Sequence, residues 1–347
     1  MNRFIGACTA IIGLTLLFVG CARHNVRHVS TAFYYWRTEF ALSGEEKGRL
    51  GALGANRLYV RVFDVDWDIG TNMAYPVQTL RGHLGTTVQA DIVPTVFITN
   101  RTFTNLPPSE VTDLAEKIFR LSLSMSSTLG FSPIHELQLD CDWSEYTRGK
   151  YFRLADELRR LLREQQISLS ATIRLHQIKY RERVGVPPVD RGVLMFYNMG
   201  ELNSPDAANS ILDLAAARTY IPYIDEYPLN LDVALPLYSW GAVYRRARMV
   251  ELINNVTQAD FPDHATFAAQ GNKVRVLKGS FFRYRFLYAG DVIRLESVTI
   301  DQLLDAASLL TKHFASDSLR VIFYHLDAQA IRGYRNEDLQ TVCAAFR

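Results

Sequence analysis

Eight short β-rich runs, separated by amphipathic stretches of helical period, constrain the fold of this 347-residue chain more than any other feature. The runs are Thr31–Trp36, Arg57–Asp64, Ile92–Thr99, Glu136–Asp142, Ile167–Arg174, Gly192–Asn198, Leu229–Tyr238 and Leu319–His325. Helical periodicity is clearest over Pro108–Ser127, Gly149–Gln165, Asp206–Tyr220 and Asp301–Phe314. A strand that returns through a helix pairs in parallel with its predecessor. Eight such units predict an α/β fold, a closed (β/α)8 barrel rather than an open doubly wound sheet. An open sheet would carry a glycine-rich phosphate loop after its first strand, and Gly51-Ala52-Leu53-Gly54 precedes a strand instead. The gap between the seventh and eighth runs exceeds one helix. Residues Asn255 to Val298, with β-like runs Lys273–Leu277 and Phe281–Tyr288, are expected to form a small α+β insertion beside the barrel mouth.

In a parallel barrel the working groups sit at the C-terminal ends of the strands, and period-two alternation decides which side chains point inward. In the fourth run Leu137, Leu139 and Cys141 oppose Gln138, Asp140 and Asp142. In the fifth, Leu169, Ala171 and Ile173 oppose Ser170, Thr172, Arg174 and His176; in the seventh, Leu231, Val233 and Leu235 oppose Asp232, Pro236 and Tyr238. The aliphatic face meets the helices, so the polar face lines the barrel. Asp140 and Asp142 read either as an acid/base pair or as carboxylates locked to Arg174 or Arg61. His176 reads as a proton donor or substrate contact, or as polar surface. Asp64 and Asp66 are expected as polar lining at the end of the second strand.

Trp36, Trp67, Trp143, Tyr197, Tyr238, Trp240 and Tyr324 all fall at or just beyond strand ends. Flat rings beside carboxylates suit the faces of sugars, although aromatic residues are common in any strand. Asp64-Val65-Asp66-Trp67-Asp68 begins like a calcium loop but has Ile69 in place of the required glycine and Tyr75 in place of the closing acid. There is no histidine pair at metal-ligand spacing, no Gly-x-Ser-x-Gly elbow and no zinc cysteine motif. No metal and no cofactor is expected.

Taken in order, these runs resemble the barrel of glycoside hydrolase family 18, the chitinase-like enzymes. The family's Asp-x-Asp-x-Glu motif is similar to Asp140-Cys141-Asp142-Trp143-Ser144-Glu145, and its Met-x-Tyr-Asp to Met195-Phe196-Tyr197-Asn198. Its Gly-x-Pro-x-Tyr is similar to Ala234-Leu235-Pro236-Leu237-Tyr238, and its eighth-strand ending to Tyr324-His325-Leu326-Asp327. The resemblance implies that Asp142 orients the substrate's acetamido group, that Asp140 tunes it and that Tyr197 helps to hold it. Arg174, His176, Asn198, Tyr238, Trp143, Trp240 and Tyr324 would position the sugar. The chain departs from the motif at the acid: Ser144 stands there, and a serine cannot donate a proton near neutrality. Glu145, one residue later, or Asp232 is the expected replacement, and without one the barrel hydrolyses nothing. The chain is closer still to a group of Bacteroidetes-type lipoproteins, a likeness that brings no activity with it.

The N-terminus has the layout of a lipoprotein signal: a basic start at Met1-Asn2-Arg3, an uncharged apolar stretch to Val19, then Gly20-Cys21. Cleavage would leave Cys21 diacylated, followed by a polar tether to about Ser30; an uncleaved anchor helix is the alternative. Ala22 is not the Asp of inner-membrane retention, which favours the outer membrane, on its periplasmic or surface face. A formal net charge of +2 gives no reason to expect nucleic acid. Cys141 and Cys343 are expected as buried free thiols. Two readings stand: an envelope-anchored, monomeric barrel that binds and cleaves a glycan, and a non-catalytic glycan-binding or envelope-assembly lipoprotein.

Overall fold

The computed structural model describes residues 27–83, 90–131 and 133–347. The signal segment and Cys21 lie outside the described residues. Eight parallel strands form the barrel: β1 (His28–Tyr35), β2 (Arg57–Asp68), β3 (Asp91–Ile98), β4 (Glu136–Cys141), β5 (Ser168–Arg174), β6 (Arg191–Met195), β7 (Leu231–Pro236) and β8 (Ser318–Tyr324). Each pairs with the next, and β1 closes the ring by pairing with both β8 and β2. All eight predicted runs are strands, and the closed α/β barrel is the observed fold.

The alternation works as expected. Leu137, Leu139 and Cys141 on β4, and Leu169, Ala171 and Ile173 on β5, are fully buried in the apolar layer outside the barrel. The helices Val111–Thr128 and Arg148–Glu164 meet that layer with Leu114, Ala115 and Ile118 and with Tyr151, Leu154, Leu158 and Leu162. These residues fall on one face at helical spacing, which makes one apolar stripe per helix. Cys141 and Cys343 are buried free thiols.

Three boundaries differ from expectation. His28–Ser30 belong to β1, and Arg27 donates to the carbonyls of Ser316 and Phe346, so any tether ends before them. Of Asp206–Tyr220, only Leu214–Arg218 is α-helical; Asp206, Asn209 and Ser210 are tied instead to side chains and backbone of the 272–297 region. The extra sheet begins at Trp240, well before Asn255. Its strands are Trp240–Arg245, Arg248–Asn254, Phe267–Gln270, Lys273–Val276 and Val292–Glu296. It carries a small core of its own around Val243, Ile253, Phe261, Val274 and Ile293. Its last residue, Glu296, accepts from the Trp240 indole at 3.0 Å within the sheet and ties it to the connection after β6 by accepting from Ser210.

Candidate functional site

In a parallel barrel, a side chain's place along its strand decides which end it serves. Residues late in β2, β4, β5 and β8, and just beyond β6 and β7, converge on one mouth. A cavity of about 420 Å³ opens there, lined by Trp36, Arg61, Asp64, Asp140, Arg174, Tyr197, Asn198, Tyr238, Trp240, Tyr324 and His325, among others. A second cavity of about 260 Å³ shares Arg174, Met195, Tyr197 and Asn198 and adds Asp142, His176 and Tyr220. The shared wall makes one extended cleft, within the size range of small-molecule sites.

The polar groups of the cleft are arranged in a chain. Asp140 accepts from the Thr172 hydroxyl at 2.6 Å and from Arg174 at 3.4 Å. Asp142 sits at the exposed rim, 3.9 Å from both the Arg174 Nε and the His176 Nε2. Burial, opposed by Asp142 and reinforced by Arg174, lowers the His176 pKa. Asn198 occupies the left-handed region at φ 56°, which asparagine tolerates. Its side-chain oxygen accepts from the Tyr238 hydroxyl at 2.5 Å.

Aromatic rings build the rest. Tyr324 lies 5.3–5.9 Å from Tyr197, Tyr238 and Trp36, centroid to centroid, and the Arg61 guanidinium lies 5.5 Å over Trp36. Tyr238 in turn packs against Trp240 at 5.3 Å, held by its bond to Glu296. Burial pushes the Tyr197 and Tyr238 phenols well above their ordinary range, so both remain neutral.

The second strand supplies a feature that alternation conceals. Arg61 and Asp64 have opposite parity in an ideal strand, yet both line the cavity. The β2–β3 register slips between Arg61 and Phe63, a bulge that leaves Val62 unmatched and returns Asp64 to the interior face. Asp64 is 8 % exposed, and its Oδ1 is buried with no hydrogen-bond partner, 3.6 Å from the Arg61 Nε. Burial, partly offset by Arg61 and assisted by Asp140, raises its pKa from 3.8 to about 6.

Four candidates do not reach the cleft. Asp232 is the second residue of β7 and therefore sits at the opposite end, fully buried, 2.7 Å from Arg191 and 3.4 Å from Arg320. Glu145 turns away to Arg183 at 3.4 Å and lines neither cavity. Asp66 is bound by Thr99, Arg101 and the Trp67 amide. Trp143 is buried against Tyr151, with its indole donating to the Val184 carbonyl at 3.0 Å. Trp67 is likewise core, so two of the four tryptophans, Trp36 and Trp240, line the mouth. Ser144, where the family's acid falls, is part of a turn with Thr147, which bonds Asn100. His325 was not singled out from the sequence; its place at the end of β8 was the available signal.

No family model matches the chain, and no curated protein matches its sequence. Solved structures match its fold. The spore cortex-lytic enzyme SleL of Bacillus megaterium QM B1551 superposes with a TM-score of 0.56 at 13% identity, covering 92% of this chain and 75% of that one. The class V chitinase of Nicotiana tobaccum gives 0.54 at 12% identity, covering 91% and 98%. A variant of that chitinase in complex with NAG4 gives 0.53 at 11% identity, covering 91% and 98%. The chain therefore has the fold of the chitinase-like, glycoside-hydrolase-type (β/α)8 barrels.

Proposed function

We propose that this protein is a cell-envelope lipoprotein, anchored through Cys21, that binds a glycan in the cleft at the C-terminal mouth of its barrel. One observation carries the reading: the cleft combines aromatic rings with charged atoms that make no hydrogen bond and meet their ion-pair partners only at 3.6–3.9 Å. The Nε of Arg61, the Nε of Arg174 and the Oδ1 of Asp64 are all buried and unbonded. Buried polar groups in a folded protein are normally satisfied, and a sugar stacked on Trp36 or Tyr238 would bring hydroxyls to the Arg61, Arg174 and Asp64 side chains that line the cleft. The NAG4 complex of a chitinase with this fold is consistent with such a ligand.

Binding has firmer support than cleavage by the fold's usual route. The carboxylic acid expected after Asp142 is absent from the cleft, since Ser144 belongs to a turn and Glu145 pairs with Arg183. Calorimetric titration of the detergent-solubilised full chain with a β-1,4-linked N-acetylglucosamine tetramer and with peptidoglycan fragments tests the reading. Saturable binding to at least one of these, weakened about tenfold or more by Trp36→Ala, is expected; that ratio corresponds to about 1.4 kcal/mol. Absence of binding to all of them would remove the reading. The anchor is tested apart from it, because a Cys21→Ala variant should move from the membrane fraction to the soluble one.

A further inference from the structure

The cleft contains three carboxyl groups with different surroundings, and the difference assigns them different work. Asp140 accepts two hydrogen bonds, from Thr172 and Arg174. Asp142 is at the rim with more than half of its side chain exposed, between Arg174 and His176. Asp64 is enclosed by protein, accepts no hydrogen bond among the described residues, and faces the cavity because of the bulge at Val62. Bulges recur next to active sites, where they re-aim a side chain. Enclosure favours the neutral, protonated carboxyl, which is the form that donates, and the Arg61 guanidinium 3.6 Å away offsets this only in part.

We infer that Asp64, re-aimed into the mouth by the β2 bulge, is the proton donor of a glycoside-hydrolysing site, replacing the acid missing at Ser144. The inference rests on the glycan-binding reading and deepens it from binding to hydrolysis. In the reaction, the Asp64 carboxyl gives its proton to the glycosidic oxygen. The bond from the sugar's anomeric carbon to that oxygen breaks, with its electron pair leaving on the oxygen, and the leaving sugar departs as a neutral alcohol. Positive charge developing at the anomeric carbon is met by the carboxylate of Asp140 in the same cavity. Water then adds to that carbon and passes a proton to the carboxylate left on Asp64, which restores the acid. One glycosidic bond and one water become two hydroxyl groups, with no oxidant, reductant or metal required. The raised pKa of about 6 fits this role, because a general acid works best near its operating pH.

The test measures binding and hydrolysis separately on the full chain, with the N-acetylglucosamine tetramer and peptidoglycan fragments as probes. The expected result is hydrolysis by the wild type whose kcat falls a hundredfold or more in Asp64→Asn, while saturable binding of the same probe is retained. The wild-type kcat/KM should also decline as pH rises through about 6, because the donor must be protonated. Asp64→Glu should retain measurable hydrolysis, which a role confined to holding Arg61 would not require. Binding without hydrolysis by the wild type would overturn this inference and leave the glycan-binding reading intact. Hydrolysis that persists within threefold in Asp64→Asn would assign the proton to another group. Absence of both binding and hydrolysis would overturn the two readings together.

Discussion

The two ends of the barrel use the same residue types to opposite effect. At the N-terminal end, Arg57, Asp91, Glu136, Arg191, Asp232 and Arg320 neutralise one another. Glu136 takes Arg57 and Arg320 at 3.0 Å each, and Asp232 takes Arg191, Arg320 and the Arg320 amide. Tyr59 fills the space between, accepting from Arg320 at 3.1 Å. Above this floor, Tyr34 donates to Gln138, which donates to Ser170. At the C-terminal end Arg61, Asp64 and Arg174 each keep a buried polar atom that makes no hydrogen bond and meets its ion-pair partner only at 3.6–3.9 Å. A polar barrel interior is therefore not in itself a site. What distinguishes the mouth from the floor is a cavity lined by aromatic rings and by polar groups that the protein pairs less completely.

That comparison can be broken most severely at the floor. Truncating one member of a buried ion network leaves its partners' charges uncompensated, at a cost of about 3–5 kcal/mol. Asp232→Ala, which strands Arg191 and Arg320, should lower unfolding stability by that amount in denaturant titration. If it still folds, its glycan affinity should match the wild type. A large loss of affinity at unchanged stability would show that the two ends are not independent.

The next effect is smaller and concerns the mouth. The Asp64 pKa in the fold is raised above the unfolded value, so its contribution to stability is fully present below pH 3.8 and is lost as pH rises through about 6. A shift of that size amounts to at most about 3 kcal/mol at about 1.4 kcal/mol per unit. Asp64→Asn does not titrate. Its stability relative to wild type should therefore be greater at pH 7 than at pH 3, by up to that amount, in paired denaturation curves. An unchanged difference across the two pH values would mean that the carboxyl is not desolvated.

Tyr238→Phe removes the hydroxyl that donates to Asn198 and should weaken glycan binding or stability by about 1 kcal/mol. The smallest expected effect is at Glu145. Its pair with Arg183 is exposed on both sides, and such pairs contribute about 0–1 kcal/mol. Glu145→Gln should leave both glycan affinity and any hydrolysis unchanged, and a marked loss of either would return Glu145 to the cleft.

Much of this was legible in the chain. Alternation of strands and helices carried the closed barrel, because parallel pairing leaves few other arrangements for eight units. Period two placed Asp140, Arg174 and Tyr238 on the interior face. The misreadings have specific causes. Asp232 was assigned to the mouth by face alone, although its position at the start of β7 already put it on the floor, where Arg57, Glu136 and Arg191 also begin their strands. Arg61 and Asp64 share a face only through a bulge, which has no signature in Arg61-Val62-Phe63-Asp64. Trp143 and Trp67 lie at strand ends but turn into the helical layer, because a ring at the rim can fold outward onto apolar neighbours. Glu145 is adjacent to the acid position in sequence, but one residue along a turn points elsewhere. The extra sheet is legible only in part, since its first two strands, Trp240–Arg245 and Arg248–Asn254, precede the expected start at Asn255.

The most direct test of the contrast between a satisfied floor and an unsatisfied mouth is a crystal structure of the protein with the bound oligosaccharide that titrates tightest. Sugar density is expected in the cleft between Trp36 and Tyr238, with hydroxyl oxygens within hydrogen-bonding distance of the Arg61 and Arg174 guanidinium groups and the Asp64 carboxyl. Density on another face of the barrel, with these three groups still unbonded beside an empty cleft, would contradict that contrast.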